Sequence, residues 1–232
     1  MIQAIAFDVD QTLWDFHTHR EAALRACLIL VLDRATEQIA SRWTIEDLQA
    51  RYDRIEISAP GERLASIRRE SLSDAAEEAA PGDPDLGDDL TELYFSIRHG
   101  PAEPYADAIP ALTDLKAMGL RLAIVTNGNS DLDTLGLTDL FEAVVIGPNI
   151  GMAKPEPRIY AEVERLVGVD ASSLVCVGDD PHRDVAAPQR RGWKGVWNDR
   201  GIEELPNSVL PDATVQLLTE LPSVVESWKH TQ

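Results

Sequence analysis

Ile5-Ala6-Phe7-Asp8-Val9-Asp10-Gln11-Thr12 is a short apolar run, almost at the N-terminus, that stops in two carboxylates one residue apart. An unbroken run of this length with β-branched and aromatic members reads as a buried strand. In an open parallel sheet, ligands sit in the crevice beyond the carboxyl ends of the strands, so Asp8 and Asp10 stand where a site would form. Taken alone, the pair also has an ordinary explanation, one aspartate capping a following helix and the other solvated. The rest of the chain decides between the two.

Outward from this stretch, apolar runs recur in the C-terminal half. Residues 120–125 end in Thr126-Asn127-Gly128-Asn129, residues 143–146 end in Gly147-Pro148, and residues 174–177 end in Gly178-Asp179-Asp180. Shorter strands are expected at 195–197 and 213–215. Helical periodicity lies between them, at about 106–118, in a short helix after Asn129, at 158–167 and 185–191, and through Trp228 at the end. Strands alternating with helices imply an α/β fold, a Rossmann-like parallel sheet with right-handed crossovers.

Between the first strand and this repeating half the pattern is helical throughout. Ala22, Leu24, Ala26, Leu28, Ile29 and Leu32 form one apolar face, and Thr44-Ile45-Glu46-Asp47 resembles a capping box opening a helix with Leu48, Tyr52 and Ile55. Pro60-Gly61 breaks the chain before a helix from Glu62 to about residue 80, and a fourth is expected at 86–98. Gly100-Pro101-Ala102-Glu103-Pro104 favours an extended return path. The expected organisation is an α/β core of residues 1–14 and 105–232 with an inserted all-helical domain, 15–104.

At 232 residues, 44% hydrophobic and 26% charged, the chain is globular and long enough for a real core. Its net charge of −19 would repel both nucleic acid and an anionic membrane surface, and points to small-molecule or metal ligands. Cys27 and Cys176 show no ligand spacing and read as small buried hydrophobes. With no leader-like segment and no apolar run of about 20 residues, a cytoplasmic protein is expected.

Asp8 and Asp10, Thr126 and Asn127, Lys154, and Asp179 and Asp184 all follow strand ends. Crowded carboxylates are costly without a partner, and oxygen-only ligands favour a hard cation such as magnesium. A cation beside a lysine and a hydroxyl suits a phosphoryl group. The choice of lysine is itself informative: the chain has four lysines against seventeen arginines, and a compact ammonium can approach a carboxylate and a phosphoryl oxygen together.

The segments Phe7-Asp8-Val9-Asp10-Gln11-Thr12-Leu13, Ile124-Val125-Thr126-Asn127-Gly128, Gly151-Met152-Ala153-Lys154-Pro155 and Val177-Gly178-Asp179-Asp180-Pro181-His182-Arg183-Asp184-Val185 resemble, in order, the four motifs of the haloacid dehalogenase-like hydrolases. The resemblance implies a Mg2+-dependent phosphatase acting on a small phosphorylated metabolite, with the helical insertion as a cap. It implies Asp8 as nucleophile through an aspartyl phosphate and Asp10 as general acid and base. Thr126, Asn127 and Lys154 would bind the phosphoryl group. The Asp8 carboxylate, the Asp10 carbonyl and Asp179 would hold the metal, with Asp184 supporting from behind. Gln11 replaces the usual glycine, and Asp180 stands where a small hydroxyl residue is common. His17 and His19 are expected in packing or hinge roles rather than as a ligand pair, Trp14 and Phe16 either pack the entrance to the cap or touch substrate, and Arg158 is an ambiguous phosphate ligand. Two alternatives stand beside this reading. One is a metal-independent 2-haloacid dehalogenase, a branch that resembles this chain less because it lacks the second carboxylate. The other is a catalytically silent binding protein.

Overall fold

The computed structural model describes residues 1–36, 40–58 and 64–229. By internal contacts the chain divides into two compact units, Met1–Asp15 with Ala102–Gln232, and Phe16–Pro101.

The first unit is a six-stranded, all-parallel sheet in the order β3-β2-β1-β4-β5-β6. Its strands are β1 (Ala4–Phe7), β2 (Arg121–Thr126), β3 (Ala143–Ile146), β4 (Leu174–Gly178), β5 (Lys194–Asn198) and β6 (Ala213–Val215). β1 is central, and the chain runs from it to β2 and β3 on one side and to β4, β5 and β6 on the other. This reversal of strand order opens a crevice at the carboxyl ends. All four residues of β1 and all five of β4 are buried, which is why these strands read as continuous apolar runs rather than alternating ones.

The helix Pro157–Val167 turns Ile159, Tyr160, Val163 and Val167 inward, a spacing that keeps them on one face, against Ala6, Val125 and Cys176 of the sheet. Its proline stands at the first turn and Gly168 closes it at φ 64°, the left-handed turn that glycine adopts freely. Helices Ala108–Ala117 and Leu221–Lys229 complete the unit. Two expectations need correction. The short helix after Asn129 is instead a run of turns with one 3-10 turn at Thr138–Leu140. The helix expected at 185–191 begins earlier, as a wide π-type turn over Pro181–Ala186 that runs into Ala187–Gln189.

The second unit contains, among the described residues, the helices Phe16–Arg34, Ile45–Ser58, Leu64–Ala79 and Leu86–Arg98. Their buried stripes, including Leu24, Cys27, Val31, Leu48, Leu72, Leu86 and Leu90, form one apolar core. Burial pushes the Cys27 thiol up to about 12, in keeping with a small hydrophobe. Thr44 and Asp47 make the expected box: the Asp47 amide donates to Thr44 Oγ1 at 3.2 Å and the Thr44 amide to Asp47 Oδ2 at 2.9 Å. The Pro60-Gly61 break and the start at Glu62 lie outside the described residues. Among the described residues no helix is long and apolar enough to cross a membrane.

Candidate active site

The site follows from register. Phe7 is level with Ile124 on β2 and with Val177 on β4, so the three strands end within two residues of one another. The Asp8 amide donates to the Val177 carbonyl at 2.9 Å, which places Asp8 beside Gly178 and Asp179 on one rim. Beyond Asp8 the chain folds back sharply, with the Leu13 amide donating to Val9 O at 2.8 Å. Gln11 takes φ +62°, the left-handed region that a residue with a side chain rarely enters and that glycine adopts freely. The turn is braced from outside. Arg200 Nη2 donates to the Thr12 carbonyl at 3.0 Å while the same guanidinium is held by Asp107 at 3.1 and 3.2 Å.

Lys154, on the loop after β3, is 4% exposed and donates to Asp8 Oδ1 at 2.7 Å and Asp184 Oδ1 at 2.6 Å. Asn127 sets this loop in place: its side chain accepts from the Lys154 amide at 2.6 Å and donates to the Lys154 carbonyl at 2.9 Å. The side-chain amide is thereby committed to the loop. Thr126, buried at the end of β2, accepts the Gly128 amide at 2.9 Å through its hydroxyl.

The carboxylates of Asp8, Asp179 and Asp184 each offer an oxygen, and these lie within 4.8 Å of one another. Asp184, expected behind the direct ligands, belongs to the group itself. Its approach depends on Gly178, where a Cβ would collide with the Asp184 carboxylate. Burial would strip the Lys154 ammonium of its proton, but the Asp184 and Asp8 charges outweigh it and hold its pKa well above the ordinary value. Asp179 is pushed up to about 8 by burial and then by the charges of Asp8 and Asp184. Asp184 is also raised, by burial acting against the pull of Lys154. One ammonium thus faces three carboxylates. The unbalanced negative charge, the short spacing and the all-oxygen donor set fit a hard divalent cation.

Asp10 stands apart from this group. Its Oδ1 accepts from Trp14 Nε1 at 2.9 Å and from the Ser130 hydroxyl. Neither partner was expected from the sequence in this role. Trp14 read as packing or substrate contact near the first motif, and Ser130 lies 120 residues from Asp10 with no local pattern to mark it. Asp180 turns away from the group to cap the wide turn, accepting from the amides of His182 and Arg183 at 2.8 and 2.9 Å. Arg158 is exposed and meets Glu156 at 3.4 Å, so the structure does not bring it into the cluster. His17 contacts Arg20 on its own helix.

A family model described as haloacid dehalogenase-like hydrolase matches residues 2–192. Phosphoserine phosphatase of Thermus thermophilus is 33% identical over 183 residues, 76% of this chain and 72% of that protein. Glyceraldehyde 3-phosphate phosphatase of Methanopyrus kandleri is 29% identical over 97% of both. Among solved structures, a 2-haloacid dehalogenase from Pseudomonas syringae superposes with a TM-score of 0.78 at 32% identity, over 98% of this chain and 100% of that one.

Proposed function

Because the chain belongs to the haloacid dehalogenase-like hydrolase family, we propose that it is a magnesium-dependent phosphatase of small phosphorylated metabolites, working in the cytoplasm through an aspartyl phosphate. The observation that carries this reading is a second carboxylate, Asp10, two residues after the nucleophile and outside the acid cluster, held by its own hydrogen bonds. Phosphate transfer needs such a group, because an alkoxide leaves poorly without a proton.

In this reading an Asp8 carboxylate oxygen attacks phosphorus as the ester P–O bond breaks. Asp10 gives its proton to the departing oxygen, which leaves as an alcohol. Asp10 then takes a proton from water as that water attacks phosphorus, releasing inorganic phosphate and restoring Asp8. Lys154, the Thr126 hydroxyl and the Asn127 backbone N–H hold the phosphoryl oxygens and the negative charge they carry. Mg2+, bound by the Asp8 and Asp179 carboxylates and the Asp10 carbonyl with Asp184 in support, would supply positive charge between nucleophile and phosphate. The helical unit Phe16–Pro101 would act as the cap and carry substrate specificity, while residues 1–14 and 105–232 supply the chemistry.

A second reading, 2-haloacid dehalogenation, is favoured by the Pseudomonas syringae structure. It leaves Asp10 and the acid cluster without a task, since a halide departs without a proton.

Phosphate release from aryl phosphates, assayed with and without EDTA, tests the proposal. Release that stops with EDTA and returns with Mg2+ is expected, and Asp8→Asn should abolish it in a folded protein. Activity that survives EDTA, or an Asp8→Asn variant with most of the rate, overturns it. Chloride release from a 2-chloro acid in place of phosphate release installs the second reading.

A further inference from the structure

We propose that Trp14 and Ser130 are positioning residues that fix the Asp10 carboxyl by one oxygen, so that the proton it delivers rides on the other. The inference rests on the reading of Asp10 as the general acid.

Both donors converge on Oδ1 of Asp10. The indole N–H of Trp14 can only donate, so Oδ1 must present a lone pair to it whether Asp10 is charged or neutral. The Ser130 hydroxyl takes the second lone pair of that oxygen, so a proton on Oδ1 would have to displace it. The neutral acid therefore carries its hydrogen on Oδ2. That oxygen lies against Gly128, where a Cβ would run into it, so the missing side chain is what gives Oδ2 its place. Oδ2 is thus set by two loops, since Trp14 belongs to the turn after β1 and Ser130 and Gly128 to the loop after β2.

Both donors are themselves anchored. Trp14 is 2% exposed and Ser130 7%. The Trp14 carbonyl accepts the Gln11 amide at 3.0 Å, and the neighbouring Leu13 carbonyl accepts the Tyr105 amide at 2.8 Å. An acid held this way has few orientations to search before transfer, and proton transfer depends steeply on such placement. In the step itself the Oδ2–H bond breaks, the proton joins the ester oxygen, and that oxygen keeps the electron pair of the breaking P–O bond.

The test exploits the leaving group. A 4-nitrophenolate departs readily without a proton, whereas an alkoxide does not. Relative kcat/KM for an alkyl phosphate and for 4-nitrophenyl phosphate is measured in wild type, Asp10→Asn, Ser130→Ala, Ser130→Thr and Trp14→Phe. Ser130→Ala and Trp14→Phe should lose at least about tenfold more on the alkyl ester than on the aryl ester, within the range a general acid supplies. Ser130→Thr, which keeps the hydroxyl, should recover most of that selective loss. Thermal unfolding checks that each variant is folded, and Ser130→Ala decides the matter if Trp14→Phe is not. Equal losses on both esters in Ser130→Ala and Trp14→Phe, while Asp10→Asn shows a selective loss, overturn the positioning alone. Equal losses in Asp10→Asn overturn the acid itself.

Discussion

Each unit of the molecule buries a cation, and the two do it in opposite ways. Lys154 in the sheet unit is enclosed by carboxylates, with Asp8 and Asp184 both in direct contact. Arg68 in the helical unit is equally buried, at 4% exposure, but its neighbours are rings and an amide: Tyr52 and Tyr94 with centroids 4.1 and 4.8 Å from Cζ, and Gln49 Oε1 at 3.1 Å. Its Nη1 is buried without a hydrogen-bond partner among the described residues. Burial lowers the Arg68 pKa, although the two tyrosines oppose it, while the acids around Lys154 raise that of the lysine. The first arrangement stores charge that chemistry can use, because each member needs the others. The second is a stacked way of hiding a charge, against ring faces and an amide in place of acids.

Removing the ammonium should therefore have the largest effect. Lys154→Met leaves Asp8, Asp179 and Asp184 facing one another with no positive partner. kcat/KM for phosphate release should fall by at least about 10²–10³-fold, the scale for losing a group that stabilises developing charge. Breaking a buried pair by deleting one partner also destabilises, by about 3–5 kcal/mol. Urea unfolding without metal should show that loss, and added Mg2+ should restore part of it. A variant as stable and as active as wild type would mean that the three acids are not ionised together.

Between these extremes lies Glu164, which is partly exposed and accepts from Arg191 Nε and Nη2 at 2.9 and 2.7 Å and from Trp193 Nε1 at 2.7 Å. Burial raises its pKa, but the hydrogen bonds from Arg191 and Trp193 outweigh this and hold it below the ordinary 4.5. A carboxyl depressed in the folded state stabilises above its unfolded value, and that contribution is lost as pH falls through the folded value. Glu164→Gln should cost about 1–2 kcal/mol at neutral pH, as expected for charge-assisted hydrogen bonds at a partly exposed site. The gap to wild type should stay constant down to about pH 5 and narrow as the pH falls below the ordinary 4.5 and through the lower folded value. Denaturant unfolding across this range measures it, and a gap that widens in acid would reverse the assignment.

What could be read from the sequence depended on how local the signal was. The strands around Asp8, Thr126 and Asp179 were legible because a doubly buried parallel strand is an unbroken apolar run, and its end is marked where polarity returns. The helix Leu86–Arg98 was legible to within its approximate bounds because Pro84 precedes it and Gly100 follows. The stretch after Asn129 was misread as helix because Leu132, Leu135 and Leu137 suggest a periodic face, although they sit in turns. The wide turn at Pro181–Ala186 could not be seen, since it exists to bring Asp184 back over Gly178, a long-range requirement. The same holds for Ser130 and Trp14 on Asp10: spacing along the chain carries no trace of a hydrogen bond formed only when two loops meet at one rim of the sheet.

The smallest expected effect is that of replacing Arg68 by methionine, and it sharpens the contrast most. Arg68→Met keeps most of the volume and removes the charge. Two ring contacts are lost, each worth about 0.5–2 kcal/mol, but so is the penalty for burying a guanidinium with an unpaired N–H. Replacing buried charge by an apolar side chain of similar size is often neutral or stabilising. The two contributions nearly offset, and stability by urea unfolding should change by no more than about 1 kcal/mol. Arg68→Ala, which opens a void under the same two tyrosines, should instead destabilise by about 2 kcal/mol or more, as large-to-small core changes do. If Arg68→Met is as damaging as Lys154→Met, the guanidinium is structurally indispensable and the rings alone do not account for how it is held.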